Sequence, residues 1–312
     1  MARRRRTRVA VLVPVAILLV TASACDGGSD EPTPVATSGA PSPTATPDGP
    51  TGSATLDPEE FGSSLFDDTS HVVDSEWFPL VPGTRYVWEG RAFDDEGQRI
   101  ERRVEFIVTD LTKVIGGVRA IVGWDRDYDD GTMGESELIF YAQDRYGTVW
   151  HLGEYVEHWQ DGELDGGRLW VVGDPEGAQA GIGMPADPTT VEGTYSQGFA
   201  PRPWFWNDDA RVADVGVRTC VPVDCFESAI VIEEFEPRFP NAFQLKYYAP
   251  GVGNIRVGWR GREEEEHEVM VLTEFEQLSA EDLAEVRASV LAQERRGLAY
   301  SLSTEPMEPF QS

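Results

Sequence analysis

The residues best suited to bind a metal ion are three aspartates in a short acidic run. Asp125, Asp127 and Asp129 occur at every second position and are followed by Gly131, a pattern typical of the start of a calcium-binding loop. The glycine stands one residue late, and Ser136 occupies the position of the expected loop-closing carboxylate. The run therefore predicts either a candidate calcium site or an acidic hairpin turn.

A second candidate site is aromatic. Residues 201–206 read Pro-Arg-Pro-Trp-Phe-Trp, and Asp208 and Asp209 follow. Side chains such as Trp204, Phe205 and Trp206, fixed between prolines, are suited to stack on a sugar or another flat ligand. The alternative is a loop whose rings cover a sheet edge or the core, since large aromatic side chains are most often buried.

Other reactive residue types give weaker signals. His151 and His158 are seven residues apart, which places them on opposite faces of one strand or on different strands. We therefore predict no zinc site. Carboxylates are so abundant that the sequence neither selects nor rejects a glycosidase-like pair. No motif indicates a cofactor or a catalytic residue.

The N-terminus has the three parts of an export signal. Arginines precede an apolar run over residues 9–20, and the small residues Ala22 and Ala24 stand before Cys25. The run that ends at Cys25 resembles the lipobox of bacterial lipoproteins, in which the signal is cut before a cysteine that then carries lipid. This resemblance implies a signal peptide over residues 1–24 and a palmitate-bearing anchor at Cys25.

Two alternatives to the lipobox compete. An uncleaved anchor is disfavoured, because twelve apolar residues span about 18 Å as a helix and the hydrocarbon core is roughly 30 Å thick. Ordinary secretion with cleavage near Ala24 is the other. The segment that follows, residues 25–56, is rich in Pro, Gly, Ser, Thr and Ala, and we predict a disordered tether with a reach of about 30 to 90 Å.

Charge limits the partners of the mature chain. Removing the five arginines of residues 1–24 from the 26 basic residues leaves 21 against 55 acidic residues, a net charge of −34. Such a chain is excluded as a nucleic-acid binder and does not favour an anionic lipid surface. The acidity is typical of a protein kept soluble outside the cell, with a cationic or metal-ion partner as the alternative.

Cys220 and Cys225 are the cysteines that remain after lipidation of Cys25. Four residues separate them, between two strand-like runs. In an exported chain we expect a local disulfide across a turn, worth about 2 kcal/mol by loop entropy. The spacing is not that of a redox-active Cys-x-x-Cys pair.

Residues 57–277 are predicted to form one β-rich extracytoplasmic domain. Alternating or apolar runs recur, for example at residues 85–89, 104–108 and 137–141, and Asp/Gly turns separate them. The domain also holds all nine tryptophans. The pattern predicts a mainly β fold, an antiparallel sheet that forms a barrel, half-barrel or sandwich.

One helix is predicted, over residues 278–297. Ser279 is suited to cap its N-terminus with Asp282 in the capping-box position, and Gly297 to end it. One face is apolar and comprises Leu283, Val286, Val290 and Leu291. Residues 298–312 are predicted to be a flexible tail.

Two motifs carry a family resemblance. Phe-Pro-Leu-Val-Pro-Gly-Thr at residues 78–84 and Tyr-Tyr-Ala-Pro-Gly-Val-Gly at residues 247–253 resemble an uncharacterised family of secreted bacterial proteins. The resemblance covers roughly residues 76–276 and implies an antiparallel β domain, without implying a reaction. The motifs themselves contain turn-forming Pro-Gly pairs that lead into strands.

Together these observations predict a non-enzymatic lipoprotein on the extracytoplasmic face of the cell membrane. Its partners would be the membrane, through the lipid anchor, and an unknown ligand or protein of the envelope. The alternatives are a structural or assembly factor that contacts another protein through a sheet edge, and a secreted hydrolase.

Overall fold

The computed structural model of the protein describes residues 61–93, 97–173, 177–202, 205–264, 267–298 and 305–311. The signal peptide predicted over residues 1–24, Cys25 and the tether predicted over residues 25–56 lie outside these ranges. All structural statements below concern the described residues.

The described residues form fourteen strands, one α-helix and two short 3-10 helices, Ser63–Leu65 and Pro188–Thr190. Runs rich in Val, Ile, Tyr, Phe and Trp become strands because such side chains pack well on a pleated surface. The strands are β1 Thr84–Phe93, β2 Arg99–Ile115, β3 Val118–Asp129, β4 Thr132–Gln143, β5 Val149–Gln160, β6 Glu163–Val171, β7 Gln179–Met184, β8 Tyr195–Ala200, β9 Trp206–Val221, β10 Asp224–Phe235, β11 Phe243–Ala249, β12 Gly253–Arg260, β13 Val269–Gln277 and β14 Glu308–Pro309.

Twelve of these strands close into an antiparallel barrel. Strand β1 pairs with β2 on one side and with β13 on the other, for example through Trp88, which lies opposite Val104 and Leu272. From β13 the ring continues through β12, β11, β10, β9, β8, β7, β5, β4 and β3 to β2, while β6 pairs with β5 and β14 with β2. The mainly β, antiparallel prediction is confirmed, and of the three architectures left open the fold is the barrel.

Residues 61–83 cover one end of the barrel. Trp77 and Leu80 are buried there, and the ring of Phe78 lies 5.2 Å from that of Tyr141 and 6.1 Å from that of Tyr248. Backbone hydrogen bonds from Gln143 to Ser70 and from Gly251 to Glu76 fix the segment to the strand ends. The barrel therefore has an apolar floor at this end.

Helix α1 spans Ala280–Gly297 and packs on the outside of the barrel. The Ser279 hydroxyl accepts a hydrogen bond from the Asp282 backbone N–H, so the predicted cap is present. Gln293 is buried against β3 and β4, where its Oε1 accepts hydrogen bonds from Trp124 and Ser136. The helix covers the outer face of β2–β5, which is why these strands carry apolar side chains on that face.

Among the described residues, no helix is sufficiently long and apolar to traverse a bilayer.

The prediction of a flexible tail is wrong for residues 305–311. Strand β14 pairs with β2, with Glu308 opposite Thr112. Met307 is buried, and its N–H donates to Glu294 on the helix at 2.8 Å. Side-chain burial and backbone pairing together order this part of the chain, which composition alone did not reveal.

Candidate functional site

The barrel contains a cavity of about 400 Å³. This volume lies within the range of small-molecule sites. Its wall is unusual for a barrel core because carboxyl groups outnumber cationic side chains by seven to two. The carboxyl groups belong to Asp125, Asp127, Glu137, Glu154, Asp208, Glu234 and Glu268, and the cationic groups to Arg102 and Lys246.

Strand alternation places these charges inside. Successive side chains of a strand point to opposite faces, so Asp125 and Asp127 of β3 face the cavity while Trp124 lies under the helix. The same alternation separates Glu137 of β4 from the buried Leu138. On these two strands the acidic side chains at the cavity therefore lie on the inner face.

A bulge in β5 brings two further groups inward. Phe140 lies opposite Gly153 and Tyr141 opposite His151, so one extra residue is inserted in β5. As a result both His151 and Glu154 line the cavity. Gly153 has a φ of 134°, and a Cβ there would lie 2.3 Å from the Trp170 carbonyl oxygen. Only glycine fits this position without displacing the backbone of β6.

Both cationic side chains of the wall are held by carboxylates. Arg102 donates to Asp127 at 2.6 Å, to Asp129 at 2.8 Å and to Glu268 at 3.0 Å. Burial opposes the charge of Arg102, but Asp127, Glu268 and Asp129 raise its pKa overall. Because Arg102 and Lys246 are the cationic groups of the wall, several of its carboxyl groups have no Lys or Arg partner among the described residues.

Lys246 is held in the same way. Its Nζ lies 2.6 Å from Glu234 Oε2, and the other oxygen of Glu234 accepts a hydrogen bond from Gln197 at 2.8 Å. Burial disfavours the charged amine, yet Glu234 more than offsets this and raises the pKa of Lys246. The Lys246 ammonium group thus stays charged inside the barrel.

Asp125 and Glu137 lie opposite one another on β3 and β4. Burial raises the pKa of Asp125 well above its usual range, and the charge of Asp127 adds to this effect. Burial also raises the pKa of Glu137, with Glu154 and Asp125 as the next causes. Crowded, buried carboxyl groups oppose one another's ionisation, so the protonated form is favoured in this part of the wall.

Two more carboxyl groups of the wall have a raised pKa. Burial raises the pKa of Asp127 to about 6 against the opposing charge of Arg102. It also raises the pKa of Asp208 to about 6, with the charge of Glu234 as the second cause. Both groups therefore change charge near pH 6.

His151 is a neutral, nearly buried side chain of the wall. It is 8% exposed, and burial lowers its pKa to about 4. Its Nε2 makes no hydrogen bond and lies 4.0 Å from Glu154 Oε2. An unsatisfied buried nitrogen costs free energy unless a ligand or water supplies a partner.

Aromatic rings complete the wall beside His151. The Trp206 ring stacks on Trp170 with centroids 5.1 Å apart, and the His151 ring meets both edge-on, at 4.9 Å from Trp170 and 5.7 Å from Trp206. The Trp206 Nε1 donates to Asp208 Oδ2 at 2.8 Å. The cavity thus combines acceptor groups with flat apolar surfaces.

The structure brings several of the predicted site residues to this cavity. Trp206 lines it, whereas Phe205 lies outside the wall, half-buried, with its ring 6.0 Å from that of Phe199. Trp204 lies outside the described residues. Of the two described residues of the aromatic prediction, Trp206 lines the cavity and Phe205 does not.

The three aspartates of the acidic run lie on strand β3, not in a calcium loop. Asp125 and Asp127 line the cavity, and Asp129 bonds Arg102. The turn that follows consists of Asp130 and Gly131, so the hairpin alternative describes the local backbone. Within the described part of the chain, no group of three or more His, Cys, Asp or Glu side chains is arranged to hold a metal ion.

Cys220 and Cys225 form a disulfide. They are directly opposite residues of β9 and β10, with Cα atoms 4.0 Å apart. The hairpin turn between the two strands brings the cysteines together, as the spacing predicted. The bridge takes no part in the cavity wall.

Sequence reasoning missed most of the wall. The signal was present as polar residues at every second position, as in Glu135-Ser136-Glu137 and in Gln244-Leu245-Lys246. Such alternation normally indicates a solvated outer face. It would have indicated the interior only with the knowledge that the helix covers the outer face.

The fold and site define a closed antiparallel barrel with a charged internal cavity. No protein-family model matches the chain, and no curated protein matches it. The resemblance to a secreted family at residues 78–84 and 247–253 therefore remains a prediction.

Two crystal structures are similar to the chain. One, described as an exported protein with a YmcC-like fold from Bacteroides fragilis NCTC 9343, has a TM-score of 0.38 and 11% identity over 65% of this chain and 99% of its own. The other, described as a lipoprotein from Parabacteroides distasonis ATCC 8503, has a TM-score of 0.35 and 13% identity over 65% of this chain and 100% of its own. Likenesses at this level do not define a family for the chain.

Proposed function

We propose that the protein is an extracytoplasmic lipoprotein, anchored through lipid on Cys25, whose barrel binds a small polar molecule without transforming it. The observation that carries the binding function is the cavity of about 400 Å³, with polar side chains from most strands of the barrel turned inward. Buried charge is costly. Its concentration around a void favours a role in recognition over a role in stability.

Binding is preferred to hydrolysis for a chemical reason. A glycosidase-like pair requires one carboxyl group that stays protonated and one that stays ionised. The opposed Asp125 and Glu137 both have a raised pKa for the same cause, burial. Their environments do not separate the acid role from the nucleophile or base role.

A role in envelope assembly is the second candidate. Within the described ranges, strand β6 pairs with β5 and with no other strand, so one of its edges offers backbone groups to a partner strand. Glu163 and Asp165 are exposed on this strand. Charged residues commonly protect such edges from pairing, which makes this candidate the weaker one.

The binding function is tested by filling the cavity. Val257 is 4% exposed and lines it, whereas Val81 is 54% exposed on the surface. We expect native mass spectrometry of the full-length chain, purified in detergent from its own envelope, to detect a small-molecule adduct. Val257→Trp should lose the adduct and Val81→Trp should keep it. An adduct that survives in a folded Val257→Trp protein contradicts binding in the cavity.

The anchor is tested separately. Cys25→Ala should move the protein from the membrane fraction to the soluble fraction, because the thiol is the lipid acceptor. Cys220→Ala, the same substitution in the disulfide, should remain in the membrane fraction. Retention of Cys25→Ala in the membrane would contradict the lipoprotein assignment.

A further inference from the structure

Three inward-facing carboxyl groups on neighbouring strands lack a Lys or Arg within salt-bridge distance among the described residues. We refer to Asp125, Glu137 and Glu154 as the carboxyl cluster. Asp125 lies directly opposite Glu137, which places their Cβ atoms about 5 Å apart. Glu154 lies opposite Ile139, hence diagonal to Glu137 at about 7 to 8 Å. The three groups can converge on one small object in the cavity.

Two unsatisfied atoms point independently to a missing partner. The Nε2 of His151, a side chain nine-tenths buried, makes no hydrogen bond although it borders the cavity. The Oδ1 of Asp125 is also buried and without a hydrogen-bond partner. Nε2 accepts a hydrogen bond in the imidazole tautomer that carries its proton on Nδ1, and Asp125 Oδ1 accepts one when the carboxyl group is ionised. A cationic donor favours both of these states and satisfies both atoms.

Aromatic rings surround the same point. The Tyr141 ring lies 5.3 Å from that of His151, and Phe78 meets Tyr141 edge-on at 5.2 Å. Faces of aromatic rings attract cations, most strongly where water is excluded. Carboxylates, a free acceptor and aromatic faces together form the environment that suits an ammonium group with an apolar body.

We infer that the molecule bound in the barrel is an organic amine, whose ammonium group is held by the carboxyl cluster and His151. This inference rests on the proposed binding function and names the class of its ligand. The ammonium group donates up to three hydrogen bonds, which the cluster and Nε2 of His151 can accept. Its apolar body lies against the aromatic rings.

Proton release follows from this arrangement. Burial raises the pKa of all three carboxyl groups of the empty cluster, and a bound cation favours their ionised form. The charged groups that face the cluster from the surrounding strands also set its titration. They are Arg102, Asp127, Glu135, Arg168 and Lys246. A neutral ligand leaves this balance unchanged, so proton release distinguishes an amine from an alcohol.

The experiment is calorimetric titration of the full-length protein with matched probes. Phenethylamine and n-butylamine are compared with phenethyl alcohol and n-butanol, which have similar shape without charge. We expect at least one amine to bind about tenfold or more tightly than its alcohol. We also expect the amine to release protons, detected as a heat that depends on the ionisation enthalpy of the buffer.

Variants locate the site. Glu137→Gln should weaken amine binding about tenfold, because it removes a charge from the cluster while keeping its shape. Glu285→Gln on the exposed face of α1 makes the same change away from the cavity and should leave affinity unchanged. Melting curves of both variants confirm that each is folded. A folded Glu137→Gln protein with wild-type affinity overturns the assignment to the cluster.

The outcomes separate this inference from the function on which it rests. Equal binding of amines and alcohols, or binding of alcohols alone, overturns the amine inference and leaves the cavity function standing. Failure of all four probes overturns the amine inference. If the native protein also carries no adduct that depends on Val257, the binding function fails as well.

Discussion

The outer and inner faces of strands β2–β5 both bury charge, in opposite ways. Under the helix, Lys113 and Glu294 are 3% and 7% exposed and form an ion pair at 2.9 Å. Beside them, both oxygens of the buried Glu157 accept hydrogen bonds from Arg296 at 2.7 and 2.8 Å. Around the cavity, in contrast, the carboxyl groups outnumber the cationic side chains, and Glu137 has no Lys or Arg partner among the described residues.

The two faces differ in whether each buried carboxyl group has a cationic partner. A buried carboxylate with a good partner is compensated, and loss of that partner is costly. A surplus of buried carboxyl groups destabilises the empty protein and is tolerated where a ligand relieves it. The same residue type, glutamate, thus serves structure on one face of the sheet and, in the function we propose, recognition on the other.

The largest expected effect comes from breaking a compensated pair. Glu294→Gln should lower the free energy of unfolding by about 3 to 5 kcal/mol, because Lys113 is left charged and buried. Urea unfolding of the full-length protein in detergent measures the change. Glu163→Gln on the exposed part of β6 is the matched control, with an expected change below about 0.5 kcal/mol. Equal effects of the two variants would contradict the assigned role of the pair.

The Cys220–Cys225 disulfide lies away from both the helix and the cavity, so its removal provides a stability change for comparison. Cys225→Ser should lower the free energy of unfolding by about 2 kcal/mol through loop entropy. Amine or adduct binding should not change, since the bridge takes no part in the cavity wall. Unfolding with and without reductant gives the same comparison in the wild-type protein. Loss of binding at unchanged stability would show that the hairpin acts on the cavity.

The surplus of carboxyl groups on the inner face predicts that the stability of the fold depends on pH. The pKa of Asp208 rises from 3.8 in the unfolded chain to about 6 in the barrel, so the unfolded state ionises first as pH increases. Asp208 therefore costs nothing below about pH 4 and destabilises the fold increasingly up to about pH 6.

Substitution isolates this contribution. Asp208→Asn should flatten the fall in stability between about pH 4 and pH 6, and Asp161→Asn in an exposed turn should leave it as in the wild type. Chemical unfolding at a series of pH values is the measurement. A steeper fall in Asp208→Asn than in the wild type would reverse the proposed sign.

The smallest effect on stability is expected for a Glu→Gln substitution on the inner face, which matches Glu294→Gln on the outer face. Glu137→Gln should leave stability unchanged or raise it by up to about 1 kcal/mol, because the amide replaces a carboxyl group already inclined to keep its proton. Urea unfolding of the empty protein at pH 7 and above measures it. A loss as large as that of Glu294→Gln would remove the distinction between the two faces.

Local signals in the sequence were sufficient for the secondary structure and the crosslink. Alternating apolar runs such as residues 85–89 became strands, and Ser279 begins the predicted helix at its cap. Cys220 and Cys225 pair because a hairpin turn lies between them. These features depend on residues close together in the chain, which is why a single sequence contains the information.

The candidate site was only partly predictable. Trp206, Asp125 and Asp127 were selected by residue type and reached the cavity wall, whereas Glu137 and Lys246 were not selected. Their partners come from distant strands, as in the pair of Lys246 with Glu234. No local pattern shows which of many carboxylates will share a space.

A mainly β chain with one C-terminal helix could be read from the residues alone, because strand periodicity, turn residues and helix caps act over a few residues. Closure of the barrel could not, since β1 pairs with both β2 and β13, which are far apart in the chain. The same holds for the inward orientation of the acidic side chains of β3 and β4. Alternation defines two faces of a strand, but which face is buried depends on closure of the sheet and on the helix that covers its outer side.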